Sequence, residues 1–176
     1  NNIPRFGTAM PVGCSMHWLA HKPSKEAKTF LLLNKAKDYD QYVDALKNFS
    51  CPGQNFIFAS RDNNISIWQT SEIPLRWEYQ GRFIMDGRDP VYDWGESLPF
   101  NHQPHILNPS QNYLSSANQF TVDDSYPYFY PGDFAPPFRG TRINQILSNM
   151  ENATYNDLRL IQIDNKSLLA SNTLPV

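Results

Sequence analysis

"QNFIFASRDNNISIWQTSEIP", Gln54 to Pro74, is the stretch that decides the fold. Phe56 and Phe58 alternate with Ile57, and Ile65, Ile67 and Gln69 repeat the period of two beyond Asp62-Asn63-Asn64. Successive side chains of an extended chain point to opposite faces, so this period marks strands. Asn and Asp tolerate the left-handed backbone that a tight turn needs. The stretch therefore predicts strand, turn, strand, and with it an antiparallel sheet.

Upstream, Asp38 can cap a helix over "YDQYVDALKNF", where Tyr42, Val43, Leu46 and Phe49 recur at helical spacing and Cys51-Pro52-Gly53 stops it. Before that, Met16, Trp18, Leu19 and Phe30 to Leu33 read as pieces of strand followed by a helix start, with "FLLL" as a short core segment. Downstream, residues 74–112 are irregular, 113–118 return as a strand, and "DDSYPYFYPGDFAPPFRG" is a second irregular run. Two helices close the chain: "RGTRINQILSNM" and, after a Thr154 cap, "YNDLRLIQIDNKSLLASNTL". The reading is α+β, an antiparallel sheet with flanking helices, over a single domain of residues 1–176.

Composition narrows the function. With 40% hydrophobic residues, 11 Phe, 9 Tyr and 4 Trp, there is material for a core, and 14 Pro exclude an all-helical bundle. The formal charge of −2 comes without a basic stripe, which argues against nucleic acid and anionic membrane surfaces, and no apolar run is long enough to span a bilayer. The opening "NNIPRFG" has neither an initiator Met nor a signal peptide, which fits a processed or truncated chain. Cys14 and Cys51 are open to two readings, a disulfide in an oxidising compartment or two buried thiols.

A self-contained active site is hard to assemble from these residues. There is no HExxH, no calcium loop, no GxGxxG or Walker loop, and Ser15 and Ser50 lack a nucleophile-elbow context. His17 and His21 sit four apart, a metal pair only if on a helix, and Pro11, Gly13 and Pro23 bracket them. Two polar residues stand out instead. Asn118 ends "NPSQNYLSSANQF": it reads as a turn former or as a neutral donor to a developing oxyanion. Arg139 falls at the start of a predicted helix, where a cation opposes the helix dipole and needs a compensating partner.

The order of the pieces resembles the penicillin acylase family of N-terminal nucleophile hydrolases. "PGQNFIFASRDNNISIWQTSEIPLR" is similar to the family hairpin Q-N-F-x-x-A-D-x-x-G-N-I. "GRFIMDGRDPVYDWGESLPFNHQPHILNPSQNYLSSANQ" is similar to the run from G-R-x-P-x-x-G through W-x-G-x-x-P-F to N-P-x-x-G-Y-x-x-x-A-N-N. "DSYPYFYPGDFAPPFRGTRINQIL" resembles the segment that ends in an R-x-x-R-I helix. Each piece is loose, but the ordered set is specific.

The resemblance implies an internal part of the β subunit of a self-processing precursor, folded as part of a four-layered αββα sandwich. It implies an N-terminal Ser nucleophile, with its own α-amine as base, upstream of this chain. The isolated chain would then be inactive. Its partners would be the α subunit, the N-terminal part of the β subunit and a small N-acyl substrate, in a periplasmic or secreted bacterial setting. Residue by residue, Asn118 falls on the oxyanion donor and Arg139 on the Arg that supports the site and the substrate's polar end. On this reading, Ser115 to Ala117 are small so that the acyl carbonyl can approach. Gln54 matches an acyl-pocket position that is apolar in penicillin G acylases, so a phenylacetyl preference does not carry over. Asn112 and Asn64 stand where the family has Gly, and Gln119 replaces the second Asn. For this chain no cofactor is expected; the resemblance leaves calcium open for the complete protein, supplied mostly from outside this chain, since Asp123, Asp124 and Asp133 lie near the family ligand without aligning to it.

Substrates left open are penicillins or related N-acyl compounds, and acyl-homoserine lactones or other lipid amides. A non-catalytic binding or scaffold domain is the rival of another class. An isolated fragment with uncovered faces is expected to dimerise.

Overall fold

Gln54–Ala59 (β1) and Ile65–Thr70 (β2) pair antiparallel in the register Phe56 to Trp68 and Ile57 to Ile67. The computed structural model describes residues 13–174. The turn takes its left-handed residue at Asn63, with φ 60°, and not at Asn64. Asn64 instead closes the loop: its carbonyl accepts from the Ser60 N–H, and its Oδ1 accepts from Asn108 Nδ2. A short third strand, His105–Leu107 (β3), adds to the other side of β2, giving the order β1-β2-β3.

One face of this sheet carries the core. Ser66, Trp68 and Thr70 are buried, in the opposite phase to Ile65, Ile67 and Gln69. Trp68 lies between the Phe100 ring (4.6 Å) and the His105 ring (3.9 Å), both stacked on it. Over it pack Glu26–Leu33 (α1) and Tyr39–Leu46 (α2). Tyr42 and Leu46 meet Trp68, with Leu33, Val43, Phe56 and Phe58 around them. Two hydroxyls are satisfied inside the contact: Tyr42 donates to the Phe56 carbonyl (2.8 Å), and the Trp68 indole N–H donates to Tyr39 (3.0 Å). Asp38 caps α2 by accepting from the Gln41 N–H. The helix ends at Leu46, before Cys51-Pro52-Gly53, but Phe49 beyond it is still buried.

Four expectations change. Residues 13–18 form no strand; only a 3-10 turn, Leu19–His21, precedes α1. "FLLL" lies in α1 with Phe30 50% and Leu31 63% exposed, so the buried residue of that helix is Thr29. Residues 113–118 form no strand and end in a bend at Ala117 and Asn118, and the strand falls at 105–107 instead. The C-terminal part holds three helices and not two: Phe138–Leu147 (α3), Tyr155–Gln162 (α4) and Leu168–Thr173 (α5). The break after α4 has a cause on each side. Asp164 leaves the helix to form a two-pronged ion pair with Arg142 of α3, and Ser167 starts α5 by accepting from the Ala170 N–H. Thr154 and Asp157 form the expected cap of α4 as a reciprocal capping box.

Cys51 is a free, half-buried thiol, so no Cys14–Cys51 bridge forms. Among the described residues, no helix is long and apolar enough to cross a membrane.

Candidate functional site

Asn118 sits at the end of the unpaired 113–118 stretch with φ 59°, a left-handed conformation that few residues other than Gly and Asn adopt readily. Its carbonyl accepts from the Ala135 N–H (2.7 Å), tying it to the loop before α3. Asn112, in the position of a family Gly, has φ 59° as well, a left-handed backbone that Gly and Asn tolerate.

The side chain is held from the opposite side. Arg139, in the first turn of α3, donates from Nη2 to Asn118 Oδ1 (2.9 Å) and to the Ala117 carbonyl (3.0 Å). Those two acceptors are the partners that a cation at a helix N-terminus requires, and no side chain caps α3 otherwise. Because the Arg is always a donor, it fixes the carboxamide with its oxygen toward α3 and its Nδ2 away from it. No acceptor among the described residues takes the Nδ2 protons.

Asn118 lines a cleft of about 430 Å³ whose wall includes Gln54, Asn55, Gln69, Gln119, Glu72, Arg76, Tyr130, Asp133 and Phe134. Gln54 and Asn118, far apart in sequence, thus share one cleft. Arg139 does not line it; it backs Asn118 and faces a second cavity between α3 and the α4–α5 link. The wall is mixed: carboxamides stand beside Leu19, Ile73, Pro74, Pro131 and Phe134. Burial pushes the Tyr130 phenol up to about 12, so it is a neutral donor at any ordinary pH.

The small residues before Asn118 do not open onto this cleft. Ser115 donates to Asn144 of α3 (2.8 Å), Ser116 accepts from Asn55 of β1 (2.6 Å), and Ala117 is buried with its N–H donating to Gln119 Oε1. Their size lets the chain pass between β1 and α3. Gln119, in place of the family's second Asn, thereby braces the turn that presents Asn118.

His17 and His21 do not converge: His17 stacks on Trp94 at 3.8 Å and His21 lies edge-on to Trp18. The acidic residues near Tyr130 are separately engaged, Asp123 with Ser125 and Asp133 with Arg82 at 3.8 Å. Among the described residues no three His, Cys, Asp or Glu side chains gather into one cluster. Sequence reasoning missed Arg76. It hides in "SEIPLR" as an ordinary charge after an apolar run, and only the fold turns it toward the cleft.

A model of the penicillin amidase family matches residues 4–176. The acyl-homoserine lactone acylase QuiP of Pseudomonas aeruginosa PAO1 is 29% identical over 161 residues, 90% of this chain and 19% of that protein. Penicillin acylase 2 proenzyme of Pseudomonas sp. strain SE83 is 23% identical over 127 residues, 72% of this chain and 16% of that protein. Among solved structures, the thermostable penicillin G acylase from Alcaligenes faecalis superposes with a TM-score of 0.56 at 18% identity, covering 77% of this chain and 25% of that one. The chain therefore spans under a fifth of the length of these two curated relatives.

Proposed function

Because this chain belongs to the penicillin amidase family, we propose that it is part of an amidohydrolase that cleaves a linear carboxylic amide through an acyl-enzyme. The nucleophile, an N-terminal Ser, lies outside the chain. The observation that carries this reading is the Arg139–Asn118 pair beside the cleft that holds Gln54.

The chemistry follows from that pair. Attack on an amide carbonyl converts its oxygen to an oxyanion before the C–N bond breaks. A neutral donor fixed in advance stabilises that charge with no reorganisation at the moment of reaction. Asn118 Nδ2 supplies such a donor. Arg139 keeps the amide from flipping and, as a cation on Oδ1, polarises the N–H bonds toward the cleft. In the same step the nucleophile's own α-amine takes its hydroxyl proton and passes it to the leaving amine. Water then attacks the ester carbonyl and releases the acid. The setting proposed is periplasmic or secreted, with the rest of a processed precursor as partner.

A second reading on the same scaffold is a lipid-amide acylase. The similarity to an acyl-homoserine lactone acylase over 90% of the chain favours it.

Two measurements on the complete protein test this. Intact mass and N-terminal sequencing should find two chains, the larger beginning with Ser. One uncut chain, or a cut that exposes no nucleophile, would leave a non-catalytic domain. Hydrolysis of long-chain acyl-homoserine lactones against phenylacetyl amides then separates the two substrate classes.

A further inference from the structure

The cleft wall carries a cation with no ion-pair partner among the described residues. Arg76 follows the bridge between Pro74 and Ser97, and its guanidinium lies over the Trp94 ring, 4.6 Å from the centroid. Its Nη1 approaches Gly81 so closely that a Cβ there would stand 3.2 Å away, and Gly81 has φ 89°. The side chain is thus clamped between an aromatic face and a residue without one. Its Nε is buried and without a hydrogen-bond partner, and no ion pair reaches it among the described residues. The nearby carboxylates are engaged elsewhere: Glu72 with Lys22 (3.4 Å) and Ser97 (3.1 Å), Asp133 with Arg82. Burial lowers the Arg76 pKa from the usual arginine value, the mark of a cation that has lost water and gained no counter-charge.

A half-buried guanidinium in this state is costly unless a ligand completes it. Its planar fork matches a carboxylate in two-pronged geometry, and the stack on Trp94 fixes the plane of the fork. We propose that Arg76 is a specificity residue of the Asn118 cleft that binds a carboxylate carried by the substrate. This rests on the amidohydrolase reading for the word substrate, but not for the existence of the anion site. The carboxylate has two sources, the end of the acyl chain or the amine half of the amide, and both present the same chemistry to Arg76.

The test uses the complete protein and three amides of similar size: one neutral, one with a carboxylate ending its acyl chain, one an N-acyl amino acid. For Arg76→Gln, kcat/KM on a carboxylated amide relative to the neutral one should fall about 10- to 100-fold, mainly through KM. Whichever carboxylated amide shows the fall identifies the source. Arg76→Lys keeps the charge but loses the fork, so it should restore part of the ratio. Calorimetric binding of glutarate and of N-acetylglycine needs no turnover, and at least one should bind and weaken by the same factor in Arg76→Gln. If no amide is hydrolysed but this binding holds, the anion site stands and the hydrolase reading falls. If amides are hydrolysed with an unchanged ratio, or Arg76→Gln lowers all three rates equally together with thermal stability, the proposal is overturned. Arg76 would then answer a carboxylate of the longer protein.

Discussion

Asn118 shows how far a single residue can be read. From sequence it is a carboxamide after small residues, as consistent with a turn as with a donor. The structure shows the turn, at φ 59°, and the bond from Arg139 leaves Nδ2 as the free end of the amide, on which the proposed donor role rests. What spacing could not show was the partner 21 residues away. The pairing yields a sharper prediction than either residue alone. In the complete protein Asn118→Ala should lower kcat by on the order of 10²–10³ with the fold retained. Arg139→Ala should lower it about 10- to 100-fold, the scale of a charge-assisted hydrogen bond. If Arg139 works by holding Asn118, the double variant should be no slower than Asn118→Ala, whereas independent roles would multiply. A second residue-scale prediction concerns Glu26. The Ser24 hydroxyl, and with it the Cys51 and Ser50 N–H groups, hold its carboxyl down to about 2 from 4.5. The folded pKa is the lower one, so its stabilisation is complete above pH 4.5 and is lost as pH falls toward 2. Glu26→Gln should therefore show a shallower decline of melting temperature across that acid range, measured by circular dichroism; an unchanged slope would mean the α1 anchor forms without the charge.

Elements were legible in proportion to their length and to how local their causes are. The hairpin and α2 were readable because turn residues, period and cap all lie within a few positions. β3 was not, because three residues carry no period; its strand character comes from Ile106 opposite Ile67. Residues 113–118 had the composition of a strand but no neighbour to pair with, since Ser115 and Ser116 are tied to α3 and β1 by side chains. The break between α4 and α5 depends on Arg142, 22 residues before Asp164, and no local pattern announces it. Caps give a direct check at this scale. Thr154→Ala removes the side-chain half of the box on α4, leaving the backbone N–H of residue 154 to donate to Asp157, and should cost about 1 kcal/mol. Because α4 buries none of its residues, hydrogen exchange should show the loss confined to its first turn. Leu46→Ala belongs to the opposite regime: fully buried against Tyr42 and Trp68, it should cost about 2–5 kcal/mol and lower the denaturation midpoint of the whole sheet and α2 together.

At the scale of the molecule, one sheet face is well covered and the other is covered only at one end, where Ser116 and Thr121 bond Asn55 and Gln69. Ile57, Ile67 and Ile106 stand in a single cross-strand row on the side away from α1 and α2. Ile57 is 58% and Ile106 44% exposed, and β1 leaves an unpaired edge. The reading of Ile65, Ile67 and Gln69 as a strand was right in period, but the phase of burial is set by Trp68, which large aromatic neighbours cover while the isoleucines stay open. Apolar residues aligned on a sheet face lose free energy to water at roughly 25 cal/mol per Å², so a chain of these residues alone has reason to cover them. The 176-residue chain on its own should therefore self-associate, with a sedimentation coefficient that rises with concentration. Ile57→Lys places a charge in the centre of the row next to the open edge and should hold the chain monomeric without reaching the Trp68 core. In the complete protein, where further chain is available to pack on that face, the same substitution should instead lower stability. A concentration-independent monomer for the unsubstituted chain would mean that the row is tolerated in water, and the loss of stability in the complete protein would then have no reason to follow.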